Sequence, residues 1–324
     1  MQETRIQVNN KSLLIQGRSV RIARLEYEWY DDLQDPESII TSLRHVAHPP
    51  DILTFWQRLP NVVPRYGYCM ENDAIAALPI KSYSFWWQNQ LDSAGRNMVR
   101  KAEKKGVVVK TTEFDDQFIE GMRSIFNETT IRQGKRFWHY GKDFHTLKSE
   151  FGRFLFREEI LGAYLNQELI GFIMLAFAGD YAVLGQFISK IAHRDKAPNN
   201  ILIAKAVQRC AEKGIPYLVY AKWVDGSLGD FKRHNGFEKV ELPRYFVPLS
   251  MKGRIFVALR LYRGVGGAIP APVLSWLKRL RRKIIEIRCR SKTFPLSTPV
   301  KIEWTRWGNI NHFRKRRQSP KQRI

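Results

Sequence analysis

The sequence predicts an α/β fold in which helices flank a mixed, largely antiparallel central sheet. The first observation is the stretch LGAYLNQELIGFIMLAFAGDYAVLGQFISK, which reads as three strands separated by the turn pairs Asn166-Gln167 and Gly179-Asp180. The second is the order of elements around it. Helical patterns precede the strands at 92–105, 115–127 and 143–156, and a helix, a strand, a short helix near 227–235 and a final strand follow them.

Composition is that of a globular chain with an intracellular pattern of cysteines. The chain has 324 residues, of which 44% are hydrophobic, enough for a substantial core. Its three cysteines are odd in number and far apart, which predicts a reducing compartment, and no Cys/His spacing indicates a metal site. The apolar run LIGFIMLAFA is too short to span a bilayer, and the N-terminus lacks the apolar segment of a secretory signal. We expect a cytoplasmic protein without a metal.

The positive charge is concentrated at the C-terminal end. The formal net charge is +23, and residues 251–324 hold 20 lysines and arginines against two glutamates, a net of +18. In this tail Val273, Leu277, Leu280, Ile284 and Ile287 share one helix face, with basic residues on the others. A basic amphipathic helix is typical of an anionic membrane surface or a partner helix, so residues 273–323 are predicted to bind such a membrane at the inner face. The alternative is that the apolar face packs on the body.

The first 89 residues are predicted to form an N-terminal lobe or extension. The first 35 alternate weakly, as short strands do, and Asp35-Pro36 begins a helix. YGYCM and AIAALPI suggest a hairpin turning at Glu71-Asn72-Asp73. The predicted domains are therefore 1–89, a main domain at 90–250, and the basic tail at 251–324.

Several stretches of the main domain resemble a known superfamily. GAYLNQELIGFIML resembles the central hairpin of the GNAT acyltransferases, and FKRHNGFEKV resembles their C-terminal "GF" segment. RNMVRKAEKKGVVV, APNNILIAKAVQRCAEKGI and FKRHNGF with PRYFVPL resemble more closely the Fem-type branch, the aminoacyltransferases of peptidoglycan bridges. The resemblance spans roughly 90–250, and residues 1–89 would be a reduced version of the first of two Fem-type lobes. It implies a GNAT-like fold and an N-acyltransferase.

The loop HRDKAPNN lies where GNAT enzymes bind the donor's pyrophosphate, but it lacks their glycine-rich pattern. Arg194, Lys196, Asn199 and Asn200 are the predicted donor-binding residues, because a helix N-terminus offers unpaired amide groups to an anion. The alternative is that Asn199 only caps the helix and the charges are solvated.

Lys232 is the first candidate catalytic residue. It lies four residues before Gly236, where many GNAT enzymes have a general-acid tyrosine and Fem-type enzymes have a lysine. The resemblance implies that its ammonium stabilises charge in the transition state. The alternative is an ordinary surface lysine.

Two further pairs complete the candidate site. His139 and Tyr140, in the loop KRFWHYGKD, are candidates for proton transfer, unless this loop is only structural. Arg244 and Tyr245 follow the "GF" strand and either line an acceptor cleft or finish the sheet.

These observations lead to an N-acyltransferase in which an amine attacks an activated carbonyl directly. The donor is acetyl-CoA or a longer acyl-CoA as co-substrate, or an aminoacyl-tRNA, and the acceptor is an amine on a small molecule or an envelope precursor. The rival hypothesis is a non-catalytic protein of the same fold that binds anionic partners through its tail.

Overall fold

The computed structural model describes residues 3–132 and 135–263. Within them, eleven strands form one sheet in the order β1-β2-β3-β4-β13-β5-β12-β11-β10-β9-β6, and β7 and β8 form a separate hairpin. The strands are β1 (Glu3–Val8), β2 (Lys11–Gln16), β3 (Ile22–Leu25), β4 (Ile52–Trp56), β5 (Cys69–Pro79), β6 (Val108–Thr112), β7 (Ile131–Arg132), β8 (Lys135–Arg136), β9 (Glu158–Leu165), β10 (Glu168–Phe177), β11 (Tyr181–Ser189), β12 (Tyr217–Lys222) and β13 (Glu238–Pro248). The predicted tail segment 273–323 lies outside the described residues.

The α-helices in the described residues are α1 (Pro36–Arg44), α2 (Tyr83–Phe85), α3 (Ser93–Lys104), α4 (Asp116–Phe126), α5 (Phe144–Phe151), α6 (Pro198–Glu212), α7 (Ser227–His234) and α8 (Met251–Ala258). Six of these eight described α-helices begin at a capping side chain, and α6 and α7 do not. Asp35, Asp92, Asp115 and Asp143 each accept a hydrogen bond from the amide three residues later, at the starts of α1, α3, α4 and α5. The helix predicted over 143–156 is α from 144 to 151 and continues as a 3₁₀ helix, Gly152–Arg157.

The sheet is antiparallel except at two places. β3 pairs with β4 and β11 pairs with β12 in parallel, and every other neighbouring pair is antiparallel. Parallel neighbours need a crossover connection, and α6 supplies it between β11 and β12. The predicted mixed, largely antiparallel sheet with flanking helices is confirmed.

Helices cover both faces of the β9–β12 part of the sheet. On one face, Val99 of α3 and the apolar side of α6, including Leu202 and Val207, pack with Ile173 of β10. On the other, Phe118 and its neighbours in α4 pack with Leu147 of α5 and with the alternate side chains of β10. The alternation along β10 explains why its sequence is almost continuously apolar.

The N-terminal strands belong to the same sheet as the main domain. β13 pairs with β4 on one side and with β5 on the other, and β5 pairs with β12. The hairpin predicted at Glu71-Asn72-Asp73 is wrong, because these residues lie inside the single strand β5 and pair with Leu242, Pro243 and Arg244 of β13. Their polar side chains suggested a turn, but a long partner strand keeps the backbone extended.

Candidate functional site

The sheet opens between its two parallel neighbours, β11 and β12. They pair at three positions only, Tyr181 with Tyr217, Ala182 with Leu218 and Val183 with Val219. Beyond these positions β11 continues to residue 189 and β12 continues to residue 222, but the two strands no longer pair with each other. We call the opening the β11–β12 cleft. A gap between parallel strands, followed by the N-terminus of a crossover helix, is a common place for ligands in α/β sheets.

Aromatic side chains from both strands and from α7 meet at this cleft. The ring centroids of Phe187 on β11 and Tyr220 on β12 are 5.4 Å apart, and Phe187 and Phe231 of α7 are 6.4 Å apart. All three side chains are partly buried. The cleft is therefore apolar at its base.

A β-bulge lies on β11 at the start of the opening. Leu175 of β10 pairs with Leu184 and Met174 pairs with Gln186, so Gly185 is the extra residue. A bulged residue falls outside the regular ladder and redirects the local backbone. A Cβ on Gly185 would lie 3.1 Å from the carbonyl oxygen of Met174 and 3.3 Å from the hydroxyl of Tyr30, which explains the glycine.

Lys232 lies beneath β12 and is almost completely buried, at 1% exposure. Its Nζ donates hydrogen bonds to the carbonyl oxygens of Tyr220, at 2.8 Å, and Lys222, at 2.7 Å. Ala221 between them has φ +50°, inside an irregularity of β12, and this brings both carbonyls to the same ammonium. Burial lowers the pKa of Lys232 to about 8. It is therefore no ordinary surface lysine.

The loop after β11 is held by a carboxylate. Glu128 accepts hydrogen bonds from the backbone N–H groups of Ile191, at 2.6 Å, and Ala192, at 2.8 Å. Arg132 pairs with Glu128 at 3.1 Å and donates to the carbonyl oxygen of Ser189 at 3.0 Å. Two of the loop's first amide groups are thus already bound to an anionic group of the protein itself.

The predicted donor-binding residues lie at the end of this loop. α6 begins at Pro198, and the residue that precedes it, Ala197, has φ +52°, so Asn199 lies inside the helix rather than capping it. Arg194 is exposed, and Lys196 pairs with the neighbouring Asp195 at 3.2 Å.

The two asparagines differ in their partners. The amide N–H of Asn200 donates to the carbonyl oxygen of Ala197, whereas the buried Oδ1 of Asn199 has no hydrogen-bond partner among the described residues. Both side chains and Arg194 lie on the loop and first turn of the same helix.

Glu158, at the start of β9, is a candidate that the sequence analysis missed. Its Oε1 lies 3.9 Å from the position that a Cβ on Gly185 would take, next to the bulge. Burial raises the pKa of Glu158 to about 7, and it raises the pKa of the nearby Tyr30 hydroxyl as well. The pair Glu158-Glu159 before an apolar strand was the only signal in the sequence, and chain separation hid its closeness to β11.

Arg244 belongs to a buried ion-pair network. Its guanidinium contacts Asp73 at 2.5 Å and Glu28 at 2.7 Å and lies 4.3 Å from the ring centroid of Trp56. Burial alone would raise the pKa of Asp73, but Arg244 and then Lys222 lower it below its ordinary value. Because Lys222 also presents its carbonyl to Lys232, this network reaches the wall of the β11–β12 cleft.

Tyr245 lies in the core instead of lining a cleft. It is fully buried, its hydroxyl donates to Gln57 Oε1 at 2.8 Å, and the hydroxyl oxygen accepts from the backbone N–H of Arg65 at 2.9 Å. Its ring contacts Phe55 and Tyr66 and packs with Leu13 and Leu53, in a core formed mostly by the N-terminal strands. Adjacent residues of β13 point to opposite faces, which separates Tyr245 from Arg244.

His139 and Tyr140 lie among different neighbours. The His139 ring stacks on Phe126 at 4.6 Å, its Nε2 accepts from Trp138 Nε1 at 2.8 Å, and Lys142 Nζ is 3.3 Å from its Nδ1. Burial, with the charge of Lys142, lowers the pKa of His139 to about 3. Tyr140 is exposed. The described contacts of His139 are with its own loop, α4 and α5, so this environment favours the structural interpretation of the loop.

The chain was compared with known proteins. No family model matches it, and no curated protein matches it. Among solved structures, FemX is similar with a TM-score of 0.55 at 12% identity, over 80% of this chain and 90% of FemX. The chain therefore has the fold of FemX. L-PGS from Bacillus licheniformis has the same fold, with a TM-score of 0.52 at 11% identity over 80% of this chain and 88% of L-PGS.

A third structure agrees with these two. The C-terminal domain of a protein assigned as a lysylphosphatidylglycerol synthetase, from Agrobacterium fabrum, matches with a TM-score of 0.52 at 11% identity, over 80% of this chain and 88% of that domain. The Fem-type resemblance predicted from the sequence is thus confirmed for the fold.

Two absences hold for the described part of the chain. Between residues 3 and 263, apart from the gap at 133–134, no group of three or more His, Cys, Asp and Glu side chains is placed to hold a metal. No helix in the same ranges is both long enough and apolar enough to cross a membrane.

Proposed function

We propose that this chain is an N-acyltransferase that transfers an acyl group from an activated donor to an amine by direct attack. The observation that carries the proposal is the β11–β12 cleft, with the bulge at Gly185 on one strand and the α6 N-terminus at its end. Such a gap lets a donor enter edge-on and add to β11 as a further strand would. The reacting carbonyl would then lie beside the bulge.

The chemistry follows from the groups around that position. The amine nitrogen attacks the donor carbonyl carbon, the new C–N bond forms, and the carbonyl oxygen takes up negative charge. A backbone N–H at the bulge and the ammonium of Lys232 would stabilise that charge, as preorganised donors do in a site that excludes water. Collapse of the intermediate breaks the bond to the donor's ester oxygen or thioester sulfur, which leaves with a proton.

Glu158 would accept the proton that the attacking amine must lose. It lies next to Gly185, and its pKa of about 7 suits a group that takes up and releases a proton near neutral pH. A base with this pKa is deprotonated in about half of the molecules at pH 7. The two roles are separate: Lys232 stabilises charge from beneath β12, and Glu158 acts from the β9 side.

The loop after β11 favours an aminoacyl-tRNA over an acyl-CoA as the donor. A pyrophosphate needs free amide groups in this loop, but those of Ile191 and Ala192 are bonded to Glu128. An aminoacyl ester of RNA has no pyrophosphate to hold. The name lysylphosphatidylglycerol synthetase, carried by a protein of the same fold, describes the attachment of an amino acid and agrees with this choice.

A panel of donors tests the proposal. Purified full-length protein would be melted with acetyl-CoA, a long-chain acyl-CoA and a set of aminoacyl-tRNAs in separate samples. A donor that binds only the folded state raises its stability by ~2.7 kcal/mol at one hundred times Kd. We expect a shift with aminoacyl-tRNA and transfer of its amino acid to an added amine. A shift with acyl-CoA alone would overturn the choice of donor, and no shift with any of them would favour a non-catalytic binding protein.

A further inference from the structure

The last described helix, α8, carries an exposed apolar stripe. Met251, Ile255 and Leu259 follow one another at intervals of four residues, so their side chains lie on the same side of the helix. They are 67%, 58% and 58% exposed. An isolated exposed apolar residue is ordinary, but three in a row on one helix face form a surface that water solvates poorly.

The opposite side of α8 is fixed to the body of the protein. Gly253 and Val257 are buried, and a Cβ on Gly253 would lie 2.0 Å from the carbonyl oxygen of Asp51. Ser250 caps the helix at Gly253 N–H and donates to Asp51 Oδ1 at 2.6 Å. The helix therefore cannot roll to bury its apolar stripe, and the stripe faces outward in the folded protein.

Exposed basic side chains of α8 and of the turn after it border the stripe. Lys252, Arg254 and Arg260 are exposed, and none of them forms an ion pair among the described residues. The sequence contains no Asp or Glu from residue 242 to residue 285. An apolar strip bordered by positive charges matches a surface that is apolar inside and negative outside.

We propose that the α8 stripe, Met251, Ile255 and Leu259, inserts into the surface of an anionic phospholipid membrane. Charge decides among the possible occupants. The amphipathic segment at 273–288 is itself strongly basic, so docking it here would bring like charges together. A symmetric contact between two copies would likewise oppose Lys252, Arg254 and Arg260 to the same residues of the second copy. A negatively charged lipid surface meets both the apolar and the basic groups favourably.

This proposal concerns residues that the tail hypothesis does not use, and it does not depend on the proposed reaction. It places a fixed contact on the folded body, next to the start of the basic tail. The orientation of the body on the membrane would then be set by α8, because the helix cannot rotate relative to the sheet.

Vesicle co-sedimentation of the full chain tests it. The lipids are phosphatidylcholine alone and phosphatidylcholine mixed with phosphatidylglycerol, and the variant is Ile255→Asp with Leu259→Asp. The matched control is Val63→Asp with Val108→Asp, since both of these residues are also exposed and apolar. Circular dichroism and thermal melting show that each variant is folded, and light scattering without lipid gives the oligomeric state.

We expect wild-type protein and the control to bind the phosphatidylglycerol vesicles and the α8 variant to bind at least about tenfold more weakly, because it loses two inserted side chains and gains two negative charges. Equal binding by the folded α8 variant would overturn the proposal and assign membrane binding to the tail. A wild-type dimer that the α8 variant alone converts to monomer would also overturn it, because the stripe would then be an interface between copies. If the variant unfolds, Ile255→Ser with Leu259→Ser replaces it, and the same outcomes apply.

Discussion

At the scale of single residues, Lys232 is the side chain that we propose stabilises negative charge in the transition state. Replacing Lys232 with Met should lower kcat by ~10²–10³, the usual effect of losing one preorganised charge at a transition state. Wild-type activity should also fall as the pH rises through about 8, where the ammonium loses its proton. The measurement is a pH–rate profile of both proteins with the donor and amine found in the panel.

The control for this change is Arg233→Met, which removes the neighbouring exposed cation.

As the pH rises above about 8, the stability of the wild-type protein should increase while its activity falls. The unfolded chain holds the proton of Lys232 up to its ordinary pKa of 10.5, whereas the folded protein releases it at about 8, so this group makes folding more favourable as the pH rises between these values. A Met variant that melts cooperatively and keeps full turnover would show that Lys232 only supports β12.

Glu158 provides the second prediction at this scale. Glu158→Gln should lower kcat by ~10²–10⁴ and remove the rise of rate with pH that the wild-type protein shows as Glu158 ionises near pH 7. Glu159→Gln is the matched control, since the adjacent carboxylate is ion-paired with Arg209 instead of lying at the bulge. The pH–rate profile is the readout.

Glu158→Gln should also stabilise the protein above neutral pH. The pKa of Glu158 is raised from its ordinary 4.5 to about 7, so the folded state binds more protons between these values and its stability falls as the pH rises through them. The glutamine side chain has no charge to bury, and each kcal/mol added to the free energy of unfolding raises the melting temperature by ~2–4 °C. If Glu158→Gln leaves both the pH–rate profile and the melting temperature unchanged, Glu158 is not the proton acceptor.

The residues show what a single sequence can and cannot reveal. Lys232 was predicted from its spacing to Gly236, because both lie on one short segment, α7 and its end. Glu158, Tyr30 and the Asp73–Arg244–Glu28 network could not be predicted, because their groups meet only after distant strands pair. His139 has the residue type of a general base, but its burial and its Trp138 contact were not encoded by any local pattern.

At the scale of elements, we propose that the loop between β11 and α6 binds the donor. Arg194→Ala with Lys196→Ala should raise the donor KM more than it changes kcat, because a contact made in both the ground and the transition state affects binding uniformly. The control is Arg44→Ala with Arg123→Ala, which removes two exposed basic residues from other helices. Initial rates over a range of donor concentrations give both constants.

The outcome also distinguishes a loop that binds the donor from a loop that only starts α6. An unchanged donor KM would mean that the loop only starts a helix and that its charges are solvated. Because Glu128 occupies the amides of Ile191 and Ala192, the side chains of the loop remain the available anion contacts there. Removing them should therefore weaken an RNA donor, and it should weaken it more at low salt, where phosphate contacts contribute most.

Elements with strong local signals were predictable, and those shaped by partners were not. Asp35 caps α1 as predicted, and α3, α4 and α5 start next to the aspartates that open their predicted ranges, since an N-cap needs only the next three residues. β5 was interpreted as a hairpin because Asn72 and Asp73 favour turns, yet β13 holds these residues in a strand. Tertiary pairing decided this element against its local preference.

At the scale of the whole molecule, one sheet joins the N-terminal strands to the strands around the β11–β12 cleft. β13 lies between β4 and β5 in the sheet, and β5 pairs with β12. The cleft wall at β12 is therefore supported by strands that come both before and after it in the sequence. The network of Glu28, Asp73 and Arg244 crosses this junction and reaches Lys222 in the cleft wall. The N-terminal strands therefore stabilise the geometry of the cleft as well as extend the sheet.

Hydrogen exchange with a donor present tests the central claim, that the β11–β12 cleft binds an activated acyl donor. Full-length protein would be measured alone, with a stable amide-linked aminoacyl-RNA and, separately, with acetyl-CoA. We expect slower exchange at 184–189, 198–203 and 219–222 with the aminoacyl-RNA and unchanged exchange at 3–56. Binding that protects other segments and leaves these three unchanged would contradict the claim.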